Sequence, residues 1–235
     1  MAETQVYMDR YQFTPAENKR FARSNFTKLV HTNARFEGVS TTLPQTQTIM
    51  DGMSVAGVPV EDVLTIVNLK RGWQYVTTQN KSLTLAMEKQ INKIVAAEDA
   101  LVPGELRQGK GGVDLGSEEF FKPALIDETQ EQAFLQKTLA NPQTTTTDKA
   151  LTVMYHNMRQ QIFWDGNKRT ATLGANKIMI DGGAGLINVP LDNWAKWNEL
   201  IANYYRTNDM EKVKKWTYDH AIQGLEVRIN KNLIN

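Results

Sequence analysis

The stretch QQIFWDGNKRTA, residues 160–171, decides how the rest of the sequence is interpreted. A helical pattern precedes it and another follows it, so it predicts a turn between two helices. Between Asp165 and Arg169 it packs an acid, a glycine, an amide and two cations. The start of a helix offers unpaired N–H groups and the positive end of the dipole, which attract phosphate. The stretch predicts an anion site, although a plain helix corner with a solvated basic start would show the same pattern.

Each residue type in the turn suits phosphate chemistry. Gly166 would let a ligand approach the backbone closely. Lys168 adds positive charge, and Arg169 can bind two phosphate oxygens at once. Asp165 is a candidate Mg²⁺ ligand, because that ion is commonly held by one or two carboxylates together with substrate phosphates.

Composition limits the classes of protein that remain. The chain has 235 residues, a formal net charge of +1 and no cysteine. A charge near zero disfavours a nucleic-acid or membrane-surface partner, and the lack of cysteine excludes disulfides and thiolate metal sites. No apolar run approaches the length of a membrane span, and the first residues do not resemble a signal peptide. We expect a soluble cytoplasmic protein.

Helical periodicity covers most of the chain, with one exception. Residues 14–38 are predicted to form a single helix, which Thr14 caps, Pro15 begins and Gly38 ends. Residues 102–123 are rich in glycine, and only short extended pieces are possible there. The fold class is therefore predicted as all-α with one glycine-rich excursion.

The motif and its surroundings resemble a known family. QIFWDGNKRTA is similar to the Fic signature, His-x-Phe-x-Asp/Glu-Gly-Asn-Gly/Lys-Arg-x-x-Arg. VPGELRQGKGGVDLG resembles the family's flap, and NARFEGVSTTLPQTQTIMDG resembles the inhibitory segment of members whose inhibitor helix precedes the core. VNLKRGWQYV and NELIANYYRTND resemble the helices that follow that segment and the core.

The resemblance implies a Fic-type helical bundle with a short β-hairpin flap. Residues 1–80 would form an N-terminal helical region that carries the inhibitory-type helix. Residues 81–223 would form the core, including the flap at 102–123 and the motif at 161–172. A C-terminal tail would span 224–235, and the whole chain is expected to be one compact unit.

The resemblance also implies an activity, because Fic proteins commonly transfer AMP from ATP to a Ser, Thr or Tyr hydroxyl of a target protein. The implied partners are ATP with Mg²⁺ and a protein that adds a strand to the flap, in a bacterial, cytoplasmic setting. A homodimer is one possible assembly.

The implied catalytic positions are Gln161, where the family has histidine, Asp165, Asn167 and Arg169. The implied nucleotide-binding residues are Gly166, Asn167, Lys168, Arg169 and Arg107, with Asp165 as the Mg²⁺ ligand. The implied target-docking residues are Gly111, Gly112, Val113, Asp114 and Leu115.

Gln161 is the first departure from the family pattern. The motif histidine is the family's general base, and a neutral amide cannot accept a proton near neutral pH, although it can orient a hydroxyl. Loss of a general base typically costs about 10²–10⁴ in rate. His156 lies roughly 140° around the helix from Gln161, so we interpret it as a packed or hydrogen-bonded histidine rather than a substitute base.

Two further positions depart from the pattern. Thr172 stands where many AMP-transferring members have a second arginine, and with Lys168 this makes the loop resemble that of the Doc toxins, which phosphorylate their targets. The inhibitory motif Ser/Thr-x-x-x-Glu-Gly/Asn begins here with Asn33 but keeps Glu37 and Gly38. The family's glutamate pairs with the second arginine. Without that partner, Glu37 would pair with Arg169 or Lys168, or would only support the helix end.

Three hypotheses follow. The first is a Fic-type adenylyltransferase with reduced or altered activity, or a Doc-like phosphotransferase. The second is a catalytically degenerate Fic domain, a pseudoenzyme that binds nucleotide or a protein partner. The third is a DNA-binding or purely structural helical protein, against which the charge balance argues.

Overall fold

The computed structural model describes residues 6–116 and 118–225. The predicted C-terminal tail lies almost entirely outside these residues, as do the first five residues of the predicted N-terminal region. The helices of the described part, in chain order, are α1 (Pro15–Ser24), α2 (Phe26–Ala34), α3 (Leu43–Met50), α4 (Val60–Thr78), α5 (Leu85–Val95), α6 (Glu128–Ala140), α7 (Thr146–Gln160), α8 (Asn167–Gly182), α9 (Trp194–Thr207) and α10 (Glu211–Ala221). Short 3₁₀ turns span Arg35–Glu37 and Leu191–Asn193.

The strands are short and form two separate antiparallel pairs. β1 (Val113–Asp114) pairs antiparallel with β2 (Phe120–Phe121) inside the predicted flap. β3 (Leu186–Ile187) pairs antiparallel with β4 (Ile222–Gln223) and joins the end of α8 to the end of α10. The predicted fold class, all-α with a short hairpin flap, is confirmed.

Helix α8 lies at the centre of the molecule. Thirteen of its sixteen residues are buried, and it packs against α1, α4, α5 and α7. A helix that is buried on every side needs small residues and paired polar groups rather than an amphipathic pattern. Asn176 meets this need by exchanging two hydrogen bonds of 2.9 Å with the backbone of Ile187.

The N-terminal helices are attached to this centre. Asn18 is fully buried, and its amide exchanges two hydrogen bonds of 2.9 Å with the backbone of Gly185. Asp9 likewise receives hydrogen bonds of 2.7 Å from the backbone and hydroxyl of Thr147 at the start of α7.

The single helix predicted over 14–38 is wrong in one respect. The Thr14 cap and the Pro15 start are present, and Gly38 ends the segment in the left-handed conformation with φ 76°. The helix breaks at Asn25, however, where φ is −110° and ψ is 9°. This break separates α1 from α2, which packs against α3 and α4. Within the described residues, no helix is both long enough and apolar enough to cross a bilayer.

Candidate functional site

The loop between α7 and α8 makes its turn through two left-handed residues. Gln161 ends α7 with φ 51° and ψ 55°, and Gly166 precedes α8 with φ 68°. A Cβ on Gly166 would lie only 2.6 Å from the Cβ of Ala96 at the end of α5. The glycine is therefore required by packing as well as by backbone conformation. Our sequence interpretation, in which a ligand approaches this glycine, had not foreseen a protein neighbour there.

Gln161 and Asn167 hold the loop closed from within. The Asn167 amide accepts a hydrogen bond from the backbone N–H of Phe163 (2.9 Å) and donates to the Phe163 carbonyl (3.0 Å) and to Oε1 of Gln161 (3.1 Å). Nε2 of Gln161 donates to the Met158 carbonyl at 2.6 Å and lies 3.4 Å from the Tyr205 hydroxyl. The amide at the family's base position therefore has both its oxygen and its nitrogen engaged in the protein.

Arg107 supports the same end of the loop from the flap side. Its Nε donates to the Gln161 carbonyl at 3.0 Å, and its Nη2 donates to the carbonyls of Ala124 (2.7 Å) and Gln160 (3.3 Å). Its Nη1 donates to the carbonyl of Gly109. Burial lowers the pKa of this guanidinium. The contacts give Arg107 a bracing role, and its contact with nucleotide stays a prediction.

Arg169 occupies the opposite end of the loop and is fully buried. Its Nη1 donates to the carbonyl of Val95 at 2.5 Å and to Oδ2 of Asp99 at 2.6 Å. Its Nε and Nη2 are buried without a hydrogen-bond partner among the described residues. Unpaired N–H groups of a buried cation are costly, so this edge of the guanidinium is suited to an anion.

Glu37 lies against that edge. Its Oε1 is 2.7 Å from Nε of Arg169, so the structure selects Arg169 as its partner. The angle at Nε does not meet that of a hydrogen bond, so we describe this contact as a charge pair only. Burial raises the pKa of Glu37, while Arg169 opposes the rise. Thr172 is buried inside the core, and its hydroxyl has no hydrogen-bond partner in the described part of the chain.

Asp165 and Lys168 complete the polar rim of the loop. The side chain of Asp165 is half exposed, and its Oδ1 accepts a hydrogen bond of 2.5 Å from the N–H of Gly166. Burial lowers the pKa of Lys168, and the nearby Glu37 opposes this. No group of three or more potential metal ligands occurs in residues 6–116 and 118–225. A single accessible carboxylate still fits Mg²⁺, which needs few protein ligands when substrate phosphates share the ion.

The first turn of α8 provides further donors to this site. Gly166 has no side chain to cap the helix, and no side-chain hydrogen bond caps α8 at its start. The first N–H groups of a helix have no intrahelical acceptor, and they add to the positive end of its dipole. Together with the Nε–Nη2 edge of Arg169, these donors suit the start of α8 to an oxyanion.

Asn92 is a site residue that our sequence interpretation missed. It is fully buried on α5, and its amide donates to the Asp165 carbonyl (2.8 Å) and to the Thr170 hydroxyl (3.1 Å). Its oxygen accepts from the N–H of Gly104, at the start of the flap. The available signal was an amide among the apolar residues Ile91, Ile94 and Val95 of an otherwise apolar stripe.

The flap lies beside the Gln161 end of the loop. The N–H of Arg107 donates to the Ile162 carbonyl at 2.9 Å, and Leu106 forms a bridge with Phe163. The Phe121 ring is 5.3 Å from that of Tyr205. Within the described residues the flap sheet has only the strands β1 and β2, so the predicted docking segment, Gly111 to Leu115, includes a strand with an unpaired outer edge.

His156 does not face the loop. Its Nε2 is 2.7 Å from Oε2 of Glu131, and its ring stacks on Phe134 with centroids 3.5 Å apart. Both partners belong to α6. The interpretation of His156 as a packed, hydrogen-bonded histidine is confirmed.

Comparison with known proteins agrees with this geometry. A model of the Fic/DOC family matches residues 82–179, so this segment is similar to a Fic/DOC domain. No significantly similar sequence was found among curated proteins.

Solved structures share the fold at low sequence identity. A Fic domain containing signaling protein from Bacteroides thetaiotaomicron superposes with a TM-score of 0.74 at 16% identity, covering 88% of this chain and 86% of that one. Fic-1 from C. elegans gives 0.73 at 15%, covering 88% and 67%. A Fic family protein from Desulfovibrio desulfuricans gives 0.70 at 17%, covering 85% and 63%.

Proposed function

We propose that this protein binds the phosphates of Mg²⁺–ATP at the start of α8 and is a Fic-type adenylyltransferase whose transfer step is slowed by Gln161. The observation that carries the proposal is the Nε–Nη2 edge of Arg169, which has no hydrogen bond among the described residues. A buried guanidinium whose Nε and Nη2 make no hydrogen bond within the described residues matches the two oxygens of one phosphate group. The neighbouring N–H groups of α8 would bind the same anion.

Each loop residue has a part in this proposal. Lys168 would add positive charge, and Asp165 would hold Mg²⁺, which neutralises phosphate charge when bound. Asn167 would act mainly by fixing the loop, because its side chain is bonded to Phe163 and Gln161. A target protein would add a strand to β1 and bring its hydroxyl towards Gln161.

Gln161 limits the proposed transfer. An amide cannot take the proton of the attacking hydroxyl, and here it is also tied to Met158 and Asn167. Positioning and phosphate electrostatics would still support some transfer. We therefore expect binding of ATP with a transfer rate about 10²–10⁴ below that of a chain with a base.

Glu37 would regulate the site by occupying the place of the phosphate. It contacts the edge of Arg169 that lacks hydrogen bonds. Its removal would leave that edge free, so Glu37→Gly should bind Mg²⁺–ATP more tightly than the wild type. Unchanged affinity would reduce Glu37 to a structural contact.

A phosphotransferase of the Doc type is the second candidate. The neutral, buried Thr172 leaves the second arginine position without a cation, which weakens the case for the usual nucleotide orientation. ATP labelled on the α-phosphate or on the γ-phosphate separates the two reactions, because only the first label follows AMP and only the second follows phosphate.

The decisive experiment combines calorimetry with these labels on the wild type, Gln161→His and Gln160→His. The last variant adds the same imidazole one residue earlier, on α7, and serves as the matched control. We expect binding in all three variants, and a gain in label transfer only in Gln161→His. If none binds Mg²⁺–ATP, the proposed function is wrong. Binding without transfer in any variant would leave the role of a nucleotide-binding pseudoenzyme.

A further inference from the structure

Two carboxylates contact Arg169, and they do so in different ways. Asp99 follows α5 and accepts a hydrogen bond of 2.6 Å from Nη1. Glu37 comes from the N-terminal region and lies 2.7 Å from Nε without the angle of a hydrogen bond. One contact is therefore directional, and the other is a charge pair.

The directional contact fixes more than one atom. A guanidinium is planar and its five N–H groups form a rigid fork, so fixing one nitrogen sets the direction of the others. Asp99 and the Val95 carbonyl both accept from Nη1. With that nitrogen held, Nε and Nη2 must point away from α5, towards Glu37 and the start of α8.

We propose that Asp99 is a positioning residue for the phosphate clamp: it holds Arg169 by Nη1 and thereby turns the Nε–Nη2 edge towards the incoming oxyanion. This inference rests on the proposed binding of phosphate at the start of α8. Asp99 does not touch the ligand. In this arrangement Glu37 is displaced by phosphate, whereas Asp99 stays bound to Arg169 throughout.

Charge alone predicts the opposite effect. Asp99, Glu37 and Asp165 place three carboxylates around Arg169, so removing any of them makes the site more attractive to an anion. The side chain of Asp99 is 40% exposed, so solvent weakens its repulsion of phosphate. Its hydrogen bond, in contrast, ends on a buried nitrogen. We therefore expect positioning to outweigh repulsion, and the sign of the measured change decides between them.

The test measures the dissociation constant of Mg²⁺–ATP by calorimetry for three variants. Asp99→Ala removes the acceptor, Asp99→Asn keeps an oxygen acceptor but removes the charge, and Glu98→Ala removes an equal charge from the neighbouring exposed residue. We expect about tenfold weaker binding in Asp99→Ala, the order of one lost charge-assisted hydrogen bond. Asp99→Asn should lie within about threefold of the wild type, and Glu98→Ala should match it.

Three results would overturn the proposal. Equal or tighter binding in Asp99→Ala would show that Asp99 only repels the ligand. An equal loss in Asp99→Asn would show that the oxygen acceptor does not hold Arg169, and an equal loss in Glu98→Ala would assign the effect to the turn as a whole. Thermal melting of each variant shows whether a loss of affinity simply follows unfolding.

A second measurement needs no nucleotide. Nitrogen-15 spectra of the Arg169 side chain report rotation of the guanidinium, since an anchored Nη1 keeps the two Nη groups distinct. We expect distinct signals in the wild type and averaged signals in Asp99→Ala; distinct signals in both would overturn the proposal. If neither the wild type nor Glu37→Gly binds Mg²⁺–ATP, the proposed function fails, and this measurement alone decides whether Asp99 anchors Arg169.

Discussion

The two ends of the loop between α7 and α8 differ in how fully their side chains are bonded. At one end Gln161 is tied to Met158 and Asn167, so its amide nitrogen and oxygen are both engaged. At the other end Arg169 is buried with Nε and Nη2 unpaired within the described residues. N–H groups of a buried cation that lack hydrogen bonds favour a further acceptor, whereas an amide with both atoms engaged requires nothing further. The difference supports the proposal that ligand binds at the Arg169 end, while the Gln161 end supports the loop.

The largest expected effect on ligand affinity comes from removing the Arg169 side chain. Arg169→Ala should weaken the binding of Mg²⁺–ATP about 100-fold, because two charge-assisted hydrogen bonds are lost. Arg169→Lys keeps the charge but not the fork, so it should lie between Arg169→Ala and the wild type. Calorimetry measures both, with the exposed Arg10→Lys as the control. Wild-type affinity in Arg169→Ala would show that the Arg169 end of the loop does not bind the ligand.

An intermediate effect is expected from the dependence of stability on pH, through a buried glutamate that supports the Gln161 end of the loop. Glu88 is buried, its Oε1 accepts from the Asn157 amide at 2.7 Å, and the Asn157 carbonyl accepts from the N–H of Gln161. Burial raises the pKa of Glu88 from 4.5 to about 8, although the Asn157 hydrogen bond opposes the rise. Between these two values the folded state therefore holds a proton that the unfolded chain releases. The contribution of this proton to the free energy of unfolding is complete below pH 4.5 and is lost as pH rises through about 8.

Urea unfolding at pH 5 and pH 8 tests this expectation. The wild type should lose on the order of 2 kcal/mol of stability over that range. Glu88→Gln should remove most of the dependence, and the exposed Glu61→Gln should keep it. A pH profile that is the same in Glu88→Gln and the wild type would show that Glu88 is not the group responsible.

The smallest effect is expected from removing the Gln161 side chain. Gln161→Ala should cost about 1 kcal/mol of stability through its lost hydrogen bonds, with little change in nucleotide affinity. Gln161→Gly removes the same side chain but relieves the positive φ of 51°, so it should be more stable than Gln161→Ala. Urea unfolding and calorimetry give the two quantities. A loss of affinity as large as that of Arg169→Ala would erase the distinction between the two ends.

Local patterns predicted most of the fold. The helix ends around Asp165 to Arg169 and the glycine-rich flap were predictable because caps, turns and periodicity depend on neighbouring residues. The break at Asn25 was not, because the packing of α2 against α3 and α4 depends on distant residues.

The site was predicted less completely. The motif identified Arg169 and limited the partner of Glu37 to two cations, but only the fold could choose between them. Asn92 and Asp99 were missed for the same reason, since they bond to residues 78 and 70 positions away. Residues that act through long-range contacts leave little signal in the sequence beyond a polar group on an apolar stripe.

The attachment of α1 has a consequence for the order in which the molecule folds. Among the described residues, the Asn18 side chain forms its hydrogen bonds with Gly185 and that of Asp9 with Thr147, so these contacts close loops of 167 and 138 residues. Closing a long loop costs chain entropy, and this cost is offset only after the contacts have formed. We therefore expect α7 and α8 to pair early, through their short connection, and the N-terminal helices to dock late. On a growing chain, α1 would leave the ribosome long before its binding surface on α8 exists.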